Sequence, residues 1–137
     1  MLGGNFYALT DDQLNRILAG SLDGDAFLSG TSAEKPAACF SHGELVWYEL
    51  TKILAAEDGC GANTTDAVPE GGAYSHSSEV QETSASLETL TEEEIRLRYS
   101  GLDTPHSFDE IFKAVVGLSA FYQRTQSAGH AMLFNIR

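Results

Sequence analysis

Four histidines (His42, His76, His106, His130) and two cysteines (Cys39, Cys60) are the side chains of this 137-residue chain whose types could hold a metal ion or act as base and nucleophile. A zinc site asks for histidines at HExxH-like spacing or cysteines in CxxC pairs, and neither spacing occurs. A nucleophile elbow needs GxSxG and a phosphate loop needs a run ending in GK[ST]; both are absent. Asp23-Gly24-Asp25, with Glu34 at the twelfth position, imitates part of a calcium loop. That loop also needs an oxygen ligand at its fifth position and a glycine at its sixth, where this chain has Phe27 and Leu28. The segment reads as a turn. The residues therefore predict no catalytic set, no metal site and no cofactor, and the two cysteines read as reduced thiols.

Charge is the unusual feature. Twenty acidic residues against eight basic ones give a net charge of −12. Such a field repels nucleic-acid phosphates and anionic lipid, and favours a basic protein partner. The imbalance is also local. Between Lys52 and Arg96 there is no Lys or Arg, while ten acids fall there: Glu57, Asp58, Asp66, Glu70, Glu79, Glu82, Glu88, Glu92, Glu93 and Glu94. Clustered like charge steers association and selects complementary surfaces, and aromatic side chains anchor them. Glu57, Asp58, Asp66, Glu70, Glu79 and Glu82, with Trp47, Tyr48 and Tyr74, are accordingly the candidate partner-binding residues.

The elements that must carry these residues follow from periodicity and capping. Residues 3–9 read as a strand ending at Thr10, which opens a capping box with Gln13 and a helix through Leu14, Ile17 and Leu18. Gly20 to Ser32 is turn-rich, anchored by Leu22, Phe27 and Leu28. A second helix is predicted over 42–56 from Val46, Leu50, Ile53 and Leu54; Trp47 and Tyr48, being adjacent, point to different faces of it. The stretch 57–72 reads as a mobile acidic loop, and Ala73-Tyr74 as a very short strand. Ser75 or Ser77 caps a helix to about Leu87, with Val80, Ser84 and Leu87 inward. Thr91 to Glu94 and Ser107 to Glu110 are further capping boxes, the latter opening a helix over 108–127 that stops at Gly129. Residues 130–136 read as a closing strand that can pair with residues 3–9. The class is α+β: one mainly helical domain spanning 1–137, with a small sheet containing the N- and C-terminal strands. The opening Met1 to Tyr7 lacks a secretory pattern and no run is long enough to span a membrane, so a cytoplasmic location is expected.

The ordered set of segments resembles the YfbM-like family, a bacterial domain of unknown function. Leu2 to Leu14 resembles its glycine-bearing opening strand and capped acidic helix. Trp47 to Leu54 resembles its central helix, Ala73 to Val80 its Tyr-Leu-Ser/Thr-Pro-Glu-Glu-Val segment, Leu90 to Tyr99 its next helix, and Phe121-Tyr122-Gln123-Arg124 through Leu133 its closing helix and strand. The family's histidine after Trp-x-x-Leu falls at Thr51 here. The resemblance implies a bacterial α+β cytosolic domain and carries over no catalytic residue.

Size, acidity and this resemblance together are similar to the immunity partners of bacterial toxins. The expected function is a non-enzymatic binding module: an immunity protein that occludes a basic cognate toxin, such as one secreted by a type VI system, through its acidic surface. The alternative is a ligand-binding protein or enzyme with a pocket near the central helix, where Trp47, Tyr48, Tyr74 and His76 converge. Oligomeric state is left open by the sequence.

Overall fold

The computed structural model describes residues 3–42 and 46–136. Strand β1 (Gly4–Leu9) leads into α1 (Asp11–Ala19) and α2 (Gly24–Ser29), then strand β2 (Ala38–His42). Helix α3 (Trp47–Ile53) ends in a single 3₁₀ turn at Ala55–Glu57. A hairpin of β3 (Asn63–Thr65) and β4 (Gly72–Ser75) follows. Helices α4 (Ser77–Thr89), α5 (Glu92–Ser100) and α6 (Phe108–Ser127) precede the closing strand β5 (Ala131–Ile136).

Among the described residues the strands form a five-stranded sheet in the order β2-β1-β5-β4-β3. The pairings are antiparallel. The expected pairing of the two ends of the chain is present at its centre, from Gly4 opposite Ile136 to Leu9 opposite Ala131. Successive side chains of a strand point to opposite faces, and here both faces are covered. Phe6, Ala8, Met132 and Phe134 join a core built by α3, α4, α5 and α6. Tyr7, Leu9, Ala131 and Leu133 join a second core under α1 and α2. The central strands are mainly apolar because both their faces are covered, with Asn5 and Asn135 as polar exceptions toward one end.

Three of the expected helix starts are capped by the expected residue, and at Thr10 the capping box is reciprocal. Thr10 Oγ1 accepts from the Gln13 N–H at 3.0 Å while Gln13 Oε1 accepts from the Thr10 N–H at 3.0 Å. Thr91 caps α5 through the Glu94 N–H, and Ser107 caps α6 through the Glu110 N–H. Helix α6 runs 20 residues and presents Ile111, Val115, Leu118, Phe121 and Tyr122 to the core. Gly129 stops it with φ +70°.

Several expectations need correction. The helix expected from residue 42 begins at Trp47: His42 closes strand β2, and Gly43, Glu44 and Leu45 lie outside the described residues, as do Met1 and Leu2. The turn-rich segment contains α2, whose N-cap is Asp23: its Oδ1 accepts from the Asp25 and Ala26 N–H groups at 3.0 and 3.3 Å. Residues 63–65, expected within a loop, pair with β4, and Val68 on the same stretch is 3% exposed in the α1–α2 core. The N-cap of α4 is His76, whose backbone N–H donates to Glu79 Oε1 at 2.9 Å, so neither Ser75 nor Ser77 holds that place.

Candidate functional site

Glu79, Glu82, Thr83 and Ser86 recur at helical three- and four-residue spacing along α4 and share one of its faces. The 3₁₀ turn at 55–57 lies against that face, fastened by Thr83 Oγ1 donating to the Glu57 carbonyl at 3.0 Å. Asp58 follows in the left-handed region at φ 55° and brings the chain round toward β3. Between these elements is a cleft of about 200 Å³ lined by Glu57, Asp58, Glu79, Glu82, Thr83 and Ser86, with Ala56 and Ala62 completing the wall. Four of the six candidate acids thus meet at one place.

Their environments differ. The Glu57 side chain is only 10% exposed and accepts from both Arg98 Nη atoms, at 2.6 and 2.9 Å, while Arg98 Nη1 also donates to the Ile53 carbonyl at 2.8 Å. Hydrogen bonding to Glu57 raises the Arg98 pKa above its ordinary value. Glu79 is held by Asn63 Nδ2 at 3.1 and 3.2 Å and by the His76 N–H. Asp58 and Glu82 are exposed. No Lys or Arg is among the residues that line the cleft, and Arg98 is paired with the Glu57 carboxylate. The arrangement can hold a cationic group such as a lysine or arginine side chain. The Thr83 hydroxyl that lines the cleft donates to the Glu57 backbone carbonyl rather than to a carboxylate.

Asp66 and Glu70 do not line this cleft. They flank the turn of the β3–β4 hairpin, where Glu70 takes φ 66°. That turn is pinned by buried Asn135, whose Nδ2 donates to the Pro69 and Gly71 carbonyls at 2.9 and 2.8 Å. Trp47 is half-buried against the α3–α6 core, and Tyr48 is 54% exposed beside it, with Lys52 Nζ 5.3 Å from its ring centroid. Tyr74 packs instead with the α1–α2 core on the other face of the sheet. His76 meets Tyr74 edge-on and lies 2.9 Å from Asn15 Oδ1 of α1. The four side chains expected to converge on a pocket near the central helix therefore do not converge; the alternation of β4 sends Tyr74 away from Trp47. Arg98 and Asn63, which hold Glu57 and Glu79 from outside the cleft, and Thr83, which lines it, were not readable as such, since each contact closes a loop between elements distant in sequence.

The remaining reactive groups are apart. Cys39 is exposed on β2, whereas burial pushes the Cys60 thiol up to about 12. His106 Nδ1 lies 2.9 Å from Glu110 Oε2, one turn into α6. Glu34, the acid that completed the calcium-like spacing, is taken by Arg16, whose Nη1 and Nη2 donate to it at 2.6 and 2.5 Å. Among the described residues no group of three His, Cys, Asp or Glu side chains stands close enough to hold a metal ion. No helix among them is long and apolar enough to cross a membrane.

A five-stranded antiparallel sheet with β1 and β5 at its centre and helices on both faces defines an α+β class of fold that a solved structure shares. The structure of YfbM, a protein of unknown function from Escherichia coli, superposes with a TM-score of 0.61 at 16% identity, covering 97% of this chain and 98% of that one. At that identity the likeness is one of fold, and it bears out the fold expected from the family resemblance. No family model matches the chain. No curated protein matches it either.

Proposed function

We propose that this chain is a non-enzymatic binding module of the bacterial cytoplasm, an immunity protein that neutralises a basic cognate toxin by occlusion. One observation supports the reading above the others: Glu57, Asp58, Glu79 and Glu82 line a single cleft that no basic residue lines. Glu57 and Glu79 are fixed by Arg98 and Asn63, which gives the cleft a rigid wall. Asp58 and Glu82 supply exposed charge to the incoming cation. Rim charges of this kind act on association rate and partner choice. Tyr48, exposed with Lys52 over its ring, is the most exposed of the three candidate aromatics and so the one available as an anchor.

The test is a pull-down from the native cells with the tagged chain, washed at low and at moderate salt, beside a Glu82→Lys/Asp58→Lys double variant. One stoichiometric basic partner, retained at low salt, weakened at moderate salt and lost by the variant, is expected. That partner, produced alone, should be toxic and should be silenced by co-production of this chain. A partner that the charge-reversed variant retains equally overturns the role of the cleft, and a partner harmless when produced alone overturns the immunity role.

A further inference from the structure

We infer that the groove between α4, α5 and α6 is a docking site for a basic amphipathic helix of a partner protein. It shares no lining residue with the acidic cleft and goes beyond the function proposed above. The groove encloses about 400 Å³. Nearly buried Leu87, Ile95 and Val115 form its apolar floor, and Leu90, Phe112 and Val116 stand on its wall. Val116 is 52% exposed, one of three large apolar side chains so exposed among the described residues. An aliphatic side chain beside an apolar depression is the arrangement that receives one face of a helix, through anchors spaced at i, i+3 or i+4 and i+7.

Charge selects the occupant. Glu88 and Glu92 are the charged residues lining the groove, and no Lys or Arg lines it. Among the described residues Glu88 makes no salt bridge, while Glu92 makes a long, exposed one to Arg96 at 3.5 Å, a pair weak enough to be exchanged. A second copy of this chain would bring the same acidic rim and a net charge of −12 against its own like. A helix with leucine-like anchors flanked by lysine or arginine satisfies both the lining and the rim.

The probe is a synthetic peptide of ~18 residues in which leucines follow the helical spacing and lysines fill the other positions, compared with a scrambled peptide of the same composition. Affinity is read by fluorescence anisotropy, and the contact surface by amide chemical-shift mapping on the full chain. The patterned peptide is expected to bind at least ~10-fold more tightly than the scrambled one, with shifts on α4, α5 and α6. Val116→Asp should erase that preference. Glu88→Lys should weaken binding and flatten its salt dependence. Both positions are exposed, and circular dichroism checks that each variant is folded. Equal binding of the two peptides, shifts confined to the Glu79–Glu82 cleft, or a preference unchanged in Val116→Asp overturns the inference. So does concentration-dependent dimerisation lost in Val116→Asp, which assigns the groove to a second copy. An anilinonaphthalene dye that occupies the groove and is not displaced by the peptide assigns it to a small apolar ligand, with the same consequence.

Discussion

The pair Glu57–Arg98 joins the acidic cleft to the body of the protein, and it is the residue-level contact most open to test. Arg98 reaches from α5 with both Nη atoms on one carboxylate and a third hydrogen bond to the Ile53 carbonyl. With Glu57 nearly out of solvent, Arg98→Ala leaves a carboxylate without its counter-charge. The expected cost is about 2–3 kcal/mol, read as a lower urea midpoint with unchanged slope. Arg98→Lys should restore little of it, because an ammonium cannot fill the two-pronged contact. Glu34 and Arg16 provide a contrast in pH. The hydrogen bond from Arg16, then that from Gln13, holds the Glu34 carboxyl down from its ordinary 4.5 to about 2. A carboxyl depressed in the folded state stabilises it above the ordinary value, and that stabilisation disappears as pH falls through the folded one. The stability difference between the wild-type chain and Glu34→Gln should therefore be constant above pH 4.5 and shrink steadily toward pH 2. Paired denaturant titrations across that range measure it; a difference unchanged at the acid end would mean that Arg16 adds nothing specific to the carboxylate.

At the scale of elements, the attachment of α3 to the sheet turns on the absence of a side chain. A Cβ on Gly4 would lie 2.4 Å from Trp47 Cβ and 3.2 Å from the Phe134 ring. Gly4→Ala must push the first turn of α3 away from β1, at an expected cost of ~1–3 kcal/mol for an overpacked contact. Trp47 is the chain's single tryptophan, so its emission reports the displacement: a shifted maximum in the folded variant is expected, and an unchanged spectrum with unchanged stability would show that α3 absorbs the methyl without moving. The same elements show what the sequence could and could not tell. Strands β1 and β5 and helix α6 were legible because their apolar runs are long and their caps chemically explicit. The edge strand β2, Ala38-Cys39-Phe40-Ser41-His42, turns Phe40 toward a core and has Cys39 and Ser41 exposed, too weak an alternation to read. Helix α2 has six residues, less than two turns, so no period accumulates. The acidic cleft was legible residue by residue but not as a cleft, since its closure depends on Thr83 meeting the Glu57 carbonyl and Arg98 meeting the Glu57 carboxylate across some 26 and 41 positions.

For the whole molecule, the decisive quantity is the acidic excess and where its few cations are spent. Arg16 is engaged by Glu34 and Asp12, Arg96 by Glu92, Arg98 by Glu57 and Lys113 by Asp109. None of these cations falls between Asp58 and Glu88, so that stretch is a field of one sign. Screening lengths fall from ~30 Å at 0.01 M salt to ~8 Å at 0.15 M. At low salt that field acts across the whole domain and opposes its compact state; at moderate salt it acts only between neighbours. Screening weakens the few ion pairs and the general repulsion together, and at a net charge of −12 the repulsion is expected to be the larger sum. The thermal midpoint should therefore rise by ~3 °C or more between 10 and 200 mM NaCl, as in a domain stabilised by about 1 kcal/mol. Capture of a basic partner should respond in the opposite direction, weakening over the same range, because there the field is attractive. Asp58→Lys/Glu82→Lys should reduce both slopes together, since the same carboxylates generate both effects. A midpoint that falls with salt would mean the local pairs outweigh the repulsion, and would locate the acidic surface's contribution in fixed contacts rather than in its long-range field.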